Sequence, residues 1–122
     1  MRLATLALSL ASLVSGYTIL DAENFDTHIQ NGLWMVKYYS PTCPWSRRFA
    51  PVWESIYRDL EDDLAVSNVH LGEVDCKANQ ALCVAASIDG YPTVVYYKQG
   101  VNQGEVPGGQ SYANLVDYAI AL

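Results

Sequence analysis

Three cysteines, Cys43, Cys76 and Cys83, carry the most nucleophilic side chains of this 122-residue chain. A cysteine attacks only as its thiolate, so what matters is which of the three sits where negative charge is stabilised. Cys43 follows an apolar run, Leu33 to Tyr39, and opens a stretch in which Phe49, Val52, Trp53, Ile56, Tyr57 and Leu60 recur at helical spacing. Its sulfur is therefore expected at a helix start, where unpaired backbone N–H groups and the positive end of the helix dipole favour an anion. Such a position lowers a thiol pKa from about 8.5 to within roughly 3.5 to 7.5 and supplies a nucleophile near neutral pH. Arg47 and Arg48, one turn on, add positive charge. The competing reading of Cys43 is an inert, buried structural cysteine.

Other chemistries find little to work with. His28 and His70 are isolated, the cysteines lack zinc-ligand spacing, and no metal site is expected. There is no phosphate loop and no Ser/His/Asp arrangement, so no cofactor is expected. Glu61-Asp62-Asp63 lacks the alternating ligands and glycine of a calcium loop and reads as a solvated helix end.

The elements that must position Cys43 alternate. Tyr17 to Leu20 reads as a short strand, and Asp21 can cap a helix to about Gln30 that places Ala22, Phe25 and Ile29 on one face. Leu33 to Tyr39 is strand-like, interrupted only by Lys37, and the helix after Cys43 contains Pro51, which predicts a kink. Val69 to Asp75 reads as a strand, Asn79 to Ala86 as a short helix, and Thr93 to Tyr97 as a strand turning at Gln99-Gly100. A weaker strand near Val101 to Val106 follows, and Ser111 can cap a closing helix with Tyr112, Leu115, Val116, Ala119 and Ile120 in step. The order β-α-β-α-β-α-β-β-α predicts an α/β fold, a central mixed sheet with helices on both faces.

Composition sets the outer limits. With 51% hydrophobic and 16% charged residues, the chain can bury a core and is not of the disordered class. A net charge of −6 has the wrong sign for a phosphate-binding footprint, so nucleic acid is not an expected partner. Residues 1–16 read as a secretory signal peptide: Arg2 is the charge, Leu3 to Val14 the apolar run, and Val14-Ser15-Gly16 the small-residue cleavage point before Tyr17. The alternative is a buried N-terminal helix. No later segment has the apolar length of a membrane span, and nothing divides residues 17–122, which are expected to form one domain. Export leads to an oxidising compartment, where three cysteines leave one thiol free if the other two are bridged.

The segment from Trp34 through Cys43-Pro44-Trp45-Ser46 to Glu54 resembles the active-site region of the protein disulfide isomerase family of thioredoxin-fold domains. Gly90-Tyr91-Pro92-Thr93 is similar to that family's cis-proline loop, which faces the active-site cysteine, and Asn24-Phe25-Asp26 and Val74-Asp75-Cys76 match further family positions. The resemblance spans nearly all of residues 17–122 and implies a thioredoxin-like fold. It implies that Cys43 is the nucleophile and that Trp45, Tyr91, Pro92 and Thr93 contact substrate. A proline beside the sulfur offers no N–H, while its neighbours' backbone can pair with an extended chain; an ordinary trans proline entering an edge strand is the competing reading. The resemblance also includes domains with a cysteine pair near Cys76 and Cys83, which implies a structural disulfide there, with a second redox pair as the alternative.

The pattern breaks at one decisive place. The family's Cys-x-x-Cys motif reads Cys43-Pro44-Trp45-Ser46 here, so the thiol that releases a mixed disulfide by internal bridging is replaced by the Ser46 hydroxyl. Three further departures weaken the catalytic reading: Lys37 where many relatives carry a buried acid, Trp45 where a histidine is frequent, and Gln110 where some have an arginine. The expected function is thiol-disulfide exchange on cysteine-containing client polypeptides of the secretory pathway through one nucleophilic cysteine, with Ser46 as a polar neighbour of the thiolate. Net oxidase or reductase activity is expected to be weak. The alternative is a non-catalytic, chaperone-like module that retains client thiols or binds peptides. Ala119-Ile120-Ala121-Leu122 is not a Lys/His-Asp-Glu-Leu signal. Residence in the endoplasmic reticulum lumen therefore follows from the resemblance, with secretion, or retention by a partner, as alternatives.

Overall fold

The computed structural model describes residues 17–122, and the signal peptide expected over residues 1–16 lies outside them. The chain runs β1 (Thr18–Leu20), α1 (Phe25–Ile29), β2 (Leu33–Tyr39), α2 (Pro44–Val66), β3 (Val69–Asp75), α3 (Gln80–Ala85), β4 (Thr93–Lys98), β5 (Val101–Glu105) and α4 (Tyr112–Ala121). The five strands form one sheet in the order β1-β3-β2-β4-β5. β3 is parallel to both β1 and β2, while β4 is antiparallel to β2 and β5. This is the thioredoxin fold that the resemblance implies.

Period-two alternation along β2 sorts the core onto two faces. Trp34, Val36 and Tyr38 point to one side, where Ile29 of α1 and Cys83 of α3 join them. Met35 points to the other, against Phe49, Trp53, Ile56, Leu60 and Leu64 of α2 and Leu115 and Ala119 of α4. Lys37 shares the parity of Met35 and is thereby carried beneath α2, with only 4% of its surface exposed. Gly72 of β3 fits the first face only because it lacks a side chain: a Cβ there would stand 2.7 Å from Leu20 Cδ1.

Two local expectations are corrected. The first helix begins at Phe25, because the Asp21 carboxylate accepts hydrogen bonds from the backbone of Glu23 and Asn24, both at 2.9 Å, and so holds a turn. α2 runs through Pro51 as expected, and Pro51 lies on its exposed side, where a carbonyl deprived of its partner can be hydrated. Ile120 falls outside the buried stripe of α4 and is exposed, whereas the Ser111 cap forms as expected, accepting from Asn114 N–H at 3.4 Å. None of the described helices is long and apolar enough to cross a membrane.

Candidate active site

Cys43 is the N-cap of α2, in extended conformation, and Pro44 takes the first helical position, where a missing N–H costs nothing. Its carbonyl accepts the first helical bond from Arg47 at 3.1 Å, and its own N–H donates to Ser40 at 3.1 Å. The side chain is half-buried and unpaired. The thiol pKa is lowered, chiefly by the Ser46 backbone N–H. Desolvation opposes this, and the Trp45 N–H, the Ser46 hydroxyl and the Arg47 charge assist. The expected helix-start effect thus operates mainly through two N–H groups of the first turn.

Ser46 is almost fully buried behind the sulfur, and its Oγ accepts the Ser40 N–H at 3.1 Å. With a lone pair so engaged, the hydroxyl proton remains to be donated. Trp45 projects outward with 61% of its surface exposed. The Arg48 guanidinium lies over its ring at 4.9 Å, so of the two arginines only Arg47 acts on the thiol.

Across the sulfur stands the loop before β4. The Tyr91-Pro92 peptide bond is cis, and the Cys43 thiol points at the Tyr91 carbonyl oxygen, 3.9 Å away. Thr93 is tied down by its hydroxyl, which donates to Gly90 O at 2.7 Å, and it lies opposite Tyr38 in the sheet register. Gln110 Nε2 donates to Pro92 O at 3.1 Å and braces the loop from the α4 side. Cys43, Trp45, Ser46, Tyr91, Pro92 and Thr93 therefore meet at one end of the sheet.

Cys76 and Cys83 are joined by a disulfide with Cα atoms 5.8 Å apart. Both half-cystines are buried. The bridge pins α3 to the end of β3 beside Cys43. His28 and His70 are elsewhere, both packed on Trp34 near the start of β2. Among the described residues, no group of three or more His, Cys, Asp or Glu could hold a metal.

Sequence reasoning missed the partner of Lys37. Its Nζ lies 3.2 Å from Glu73 Oε1, close enough for an ion pair although not aligned as a hydrogen bond. The ammonium also stands 4.7 Å from the Tyr39 ring centroid and 5.9 Å from that of Trp53. The pair lines a cavity of about 280 Å³ together with Ser46 and Arg47. A signal was present: Lys37 interrupts the apolar run of β2 and Glu73 that of β3, and the parallel register makes the two direct neighbours. The buried hydrogen bond between the Tyr38 and Tyr97 hydroxyls was also unforeseen.

Residues 16–121 match the family described as Thioredoxin. The chain is 35% identical over 109 residues to an uncharacterized protein of Schizosaccharomyces pombe, covering 88% of this chain and 15% of that one. It is 33% identical over 101 residues to protein disulfide-isomerase 1 of Caenorhabditis elegans, covering 82% of this chain and 20% of that one. Among solved structures, the zinc-bound form of human ERp44 superimposes with a TM-score of 0.78 at 26% identity, covering 84% of this chain and 30% of that chain. The chain thus spans less than a third of each of these relatives.

Proposed function

This chain belongs to the thioredoxin family, and from that premise we propose that it carries out single-cysteine thiol-disulfide exchange on client polypeptides. The observation that carries the reading is the unpaired Cys43 sulfur at the start of α2, its pKa lowered, facing the Tyr91 carbonyl at 3.9 Å with a hydroxyl where a second thiol would stand. In the forward step the Cys43 thiolate attacks one sulfur of a client disulfide. A Cys43–client disulfide forms, and the second client sulfur leaves as a thiolate with the bonding pair. A client thiolate then attacks the client sulfur of that adduct and expels Cys43 as the thiolate, leaving a different client bridge. No net electrons are exchanged, so this is isomerisation. Net oxidation or reduction is slow because Ser46 cannot close an internal bridge.

Within this reading Cys43 is the catalytic residue and Ser46 a positioning residue whose hydroxyl donates to the thiolate. Tyr91, Pro92 and Thr93 form the docking loop, with the Tyr91 backbone the part nearest the sulfur, and Trp45 offers apolar area to the client. The compartment is the secretory pathway, in keeping with the leader-like residues 1–16 and a disulfide that persists in oxidising surroundings. A second reading, long-lived capture of client thiols without turnover, is favoured by the same missing thiol.

Refolding of a scrambled disulfide protein tests the first reading: the wild-type chain accelerates recovery and Cys43→Ala does not. Equal recovery with both proteins refutes it. Stable Cys43-dependent adducts on non-reducing gels without any gain in refolding select the retention reading.

A further inference from the structure

A groove runs from the Cys43 loop to α3, with a volume of about 420 Å³ and a wall that includes Thr42, Lys77, Val84, Ile88 and Tyr91. Its floor is the Cys76–Cys83 bridge, which fixes the groove covalently. Two apolar side chains on its walls are left uncovered, Val84 with 76% and Tyr91 with 38% of their surface exposed. Tyr91 is also the residue whose carbonyl faces the Cys43 thiol, so the groove is continuous with the reacting sulfur.

Its charge runs against that of the chain. The protein carries −6 overall, yet no carboxylate lines this groove and Lys77 stands on it. The described residues hold two ion pairs, Lys37 with Glu73 and Arg58 with Asp59, and Lys77 is in neither. Arg47, beside the sulfur, is likewise outside both pairs. An incoming chain therefore meets Lys77, which is in no ion pair although the Asp75 carboxylate accepts its backbone N–H at 2.8 Å, together with exposed apolar surface, next to the nucleophile.

We propose that this groove is a specificity subsite: it takes the client segment flanking the attacked cysteine and selects an apolar side chain accompanied by a carboxylate. The apolar side chain lies against Val84 and Tyr91 over the disulfide, and the carboxylate reaches Lys77. The inference rests on the thiol-exchange reading and names the substrate class for it. Apolar area removed from water adjacent to the reacting bond supplies most of the discrimination. The Lys77 charge supplies a smaller, salt-sensitive part.

The test uses two peptides, each with one cysteine activated as a mixed disulfide with thionitrobenzoate, one flanked by Leu and Glu and the other by Ser and Lys. Attack by the Cys43 thiolate on the peptide sulfur forms the Cys43–peptide disulfide and expels thionitrobenzoate as its coloured thiolate, so release reports the rate. The Leu/Glu peptide reacts about tenfold faster. Lys77→Gln narrows the gap by about threefold and removes its salt dependence. Val84→Ser slows the Leu/Glu peptide and leaves the Ser/Lys peptide unchanged. Equal rates for both peptides with the wild-type protein overturn the subsite while leaving thiol exchange intact. Absence of thionitrobenzoate release from either peptide overturns the exchange reading and the subsite with it.

Discussion

Lys37 and Glu73 face each other across adjacent strands, 3.2 Å apart and both buried, and line one cavity with Ser46. Each charge depends on the other, because both side chains are buried and each is the other's ion-pair partner. Lys37→Met alone strands the carboxylate and lowers stability by about 3–5 kcal/mol. Pairing Lys37→Met with Glu73→Leu restores most of the loss. Denaturant unfolding of the two single variants and the double variant measures the coupling; additive losses contradict the interdependence.

The Ser46 side chain is a lesser influence on Cys43 than the Ser46 backbone N–H. Ser46→Ala keeps the backbone group and loses the hydroxyl, so the Cys43 titration moves upward yet stays below that of an ordinary thiol. The pH dependence of iodoacetamide alkylation reads this directly, and a titration unchanged by the substitution denies the hydroxyl its role. Ser46→Cys restores the missing second thiol, and the folded variant gains insulin-reducing activity. A folded Ser46→Cys protein without that activity indicates that Lys37 or Trp45 disables the site independently.

Trp34 stacks on His70 at 4.9 Å and meets His28 edge-on at 5.7 Å. Burial lowers the His70 pKa, and the charge of His28 lowers it further. The unfolded chain therefore takes up this proton first as pH falls. The stabilisation is complete above the ordinary histidine pKa of about 6.5 and is lost as pH drops from there through the folded-state value. His70 is largely open to solvent, so the effect is small. Unfolding midpoints measured between about pH 7.5 and 5 decline for wild type and flatten in His70→Phe. An identical decline in both removes His70 from the account.

The Cys76–Cys83 bridge closes a short loop, with a sequence separation of 7. Replacing both cysteines by alanine lowers stability by about 2–3 kcal/mol through the freed unfolded chain. The variant retains Cys43 as its one thiol and still undergoes alkylation. Loss of Cys43 reactivity in a folded double variant makes the bridge part of the chemistry.

How far the sequence led depended on whether a feature was local in the chain. The apolar run of β2, the helical spacing after Cys43 and the Ser111 cap are short-range patterns, and they lie where periodicity and capping chemistry put them. The start of α1 was misplaced because the Asp21 carboxylate serves a turn as readily as a helix end, and composition does not distinguish the two. Arg48 was assigned to the thiol because one helical turn brings it near, but its side chain reaches Trp45 instead. The pairing of Glu73 with Lys37 and the bond from Gln110 to Pro92 became visible only when strand register and the approach to α4 set these residues together.

The proposed exchange stands or falls on Cys43, and the most direct measurement is alkylation of the oxidised, folded protein across pH, followed by mass spectrometry of its peptides. One adduct is predicted, on Cys43, forming with an inflection below the ordinary thiol pKa of about 8.5, with Cys76 and Cys83 recovered as a linked pair. A Cys43 that reacts only after denaturation, or that is recovered bridged to Cys76 or Cys83, contradicts it.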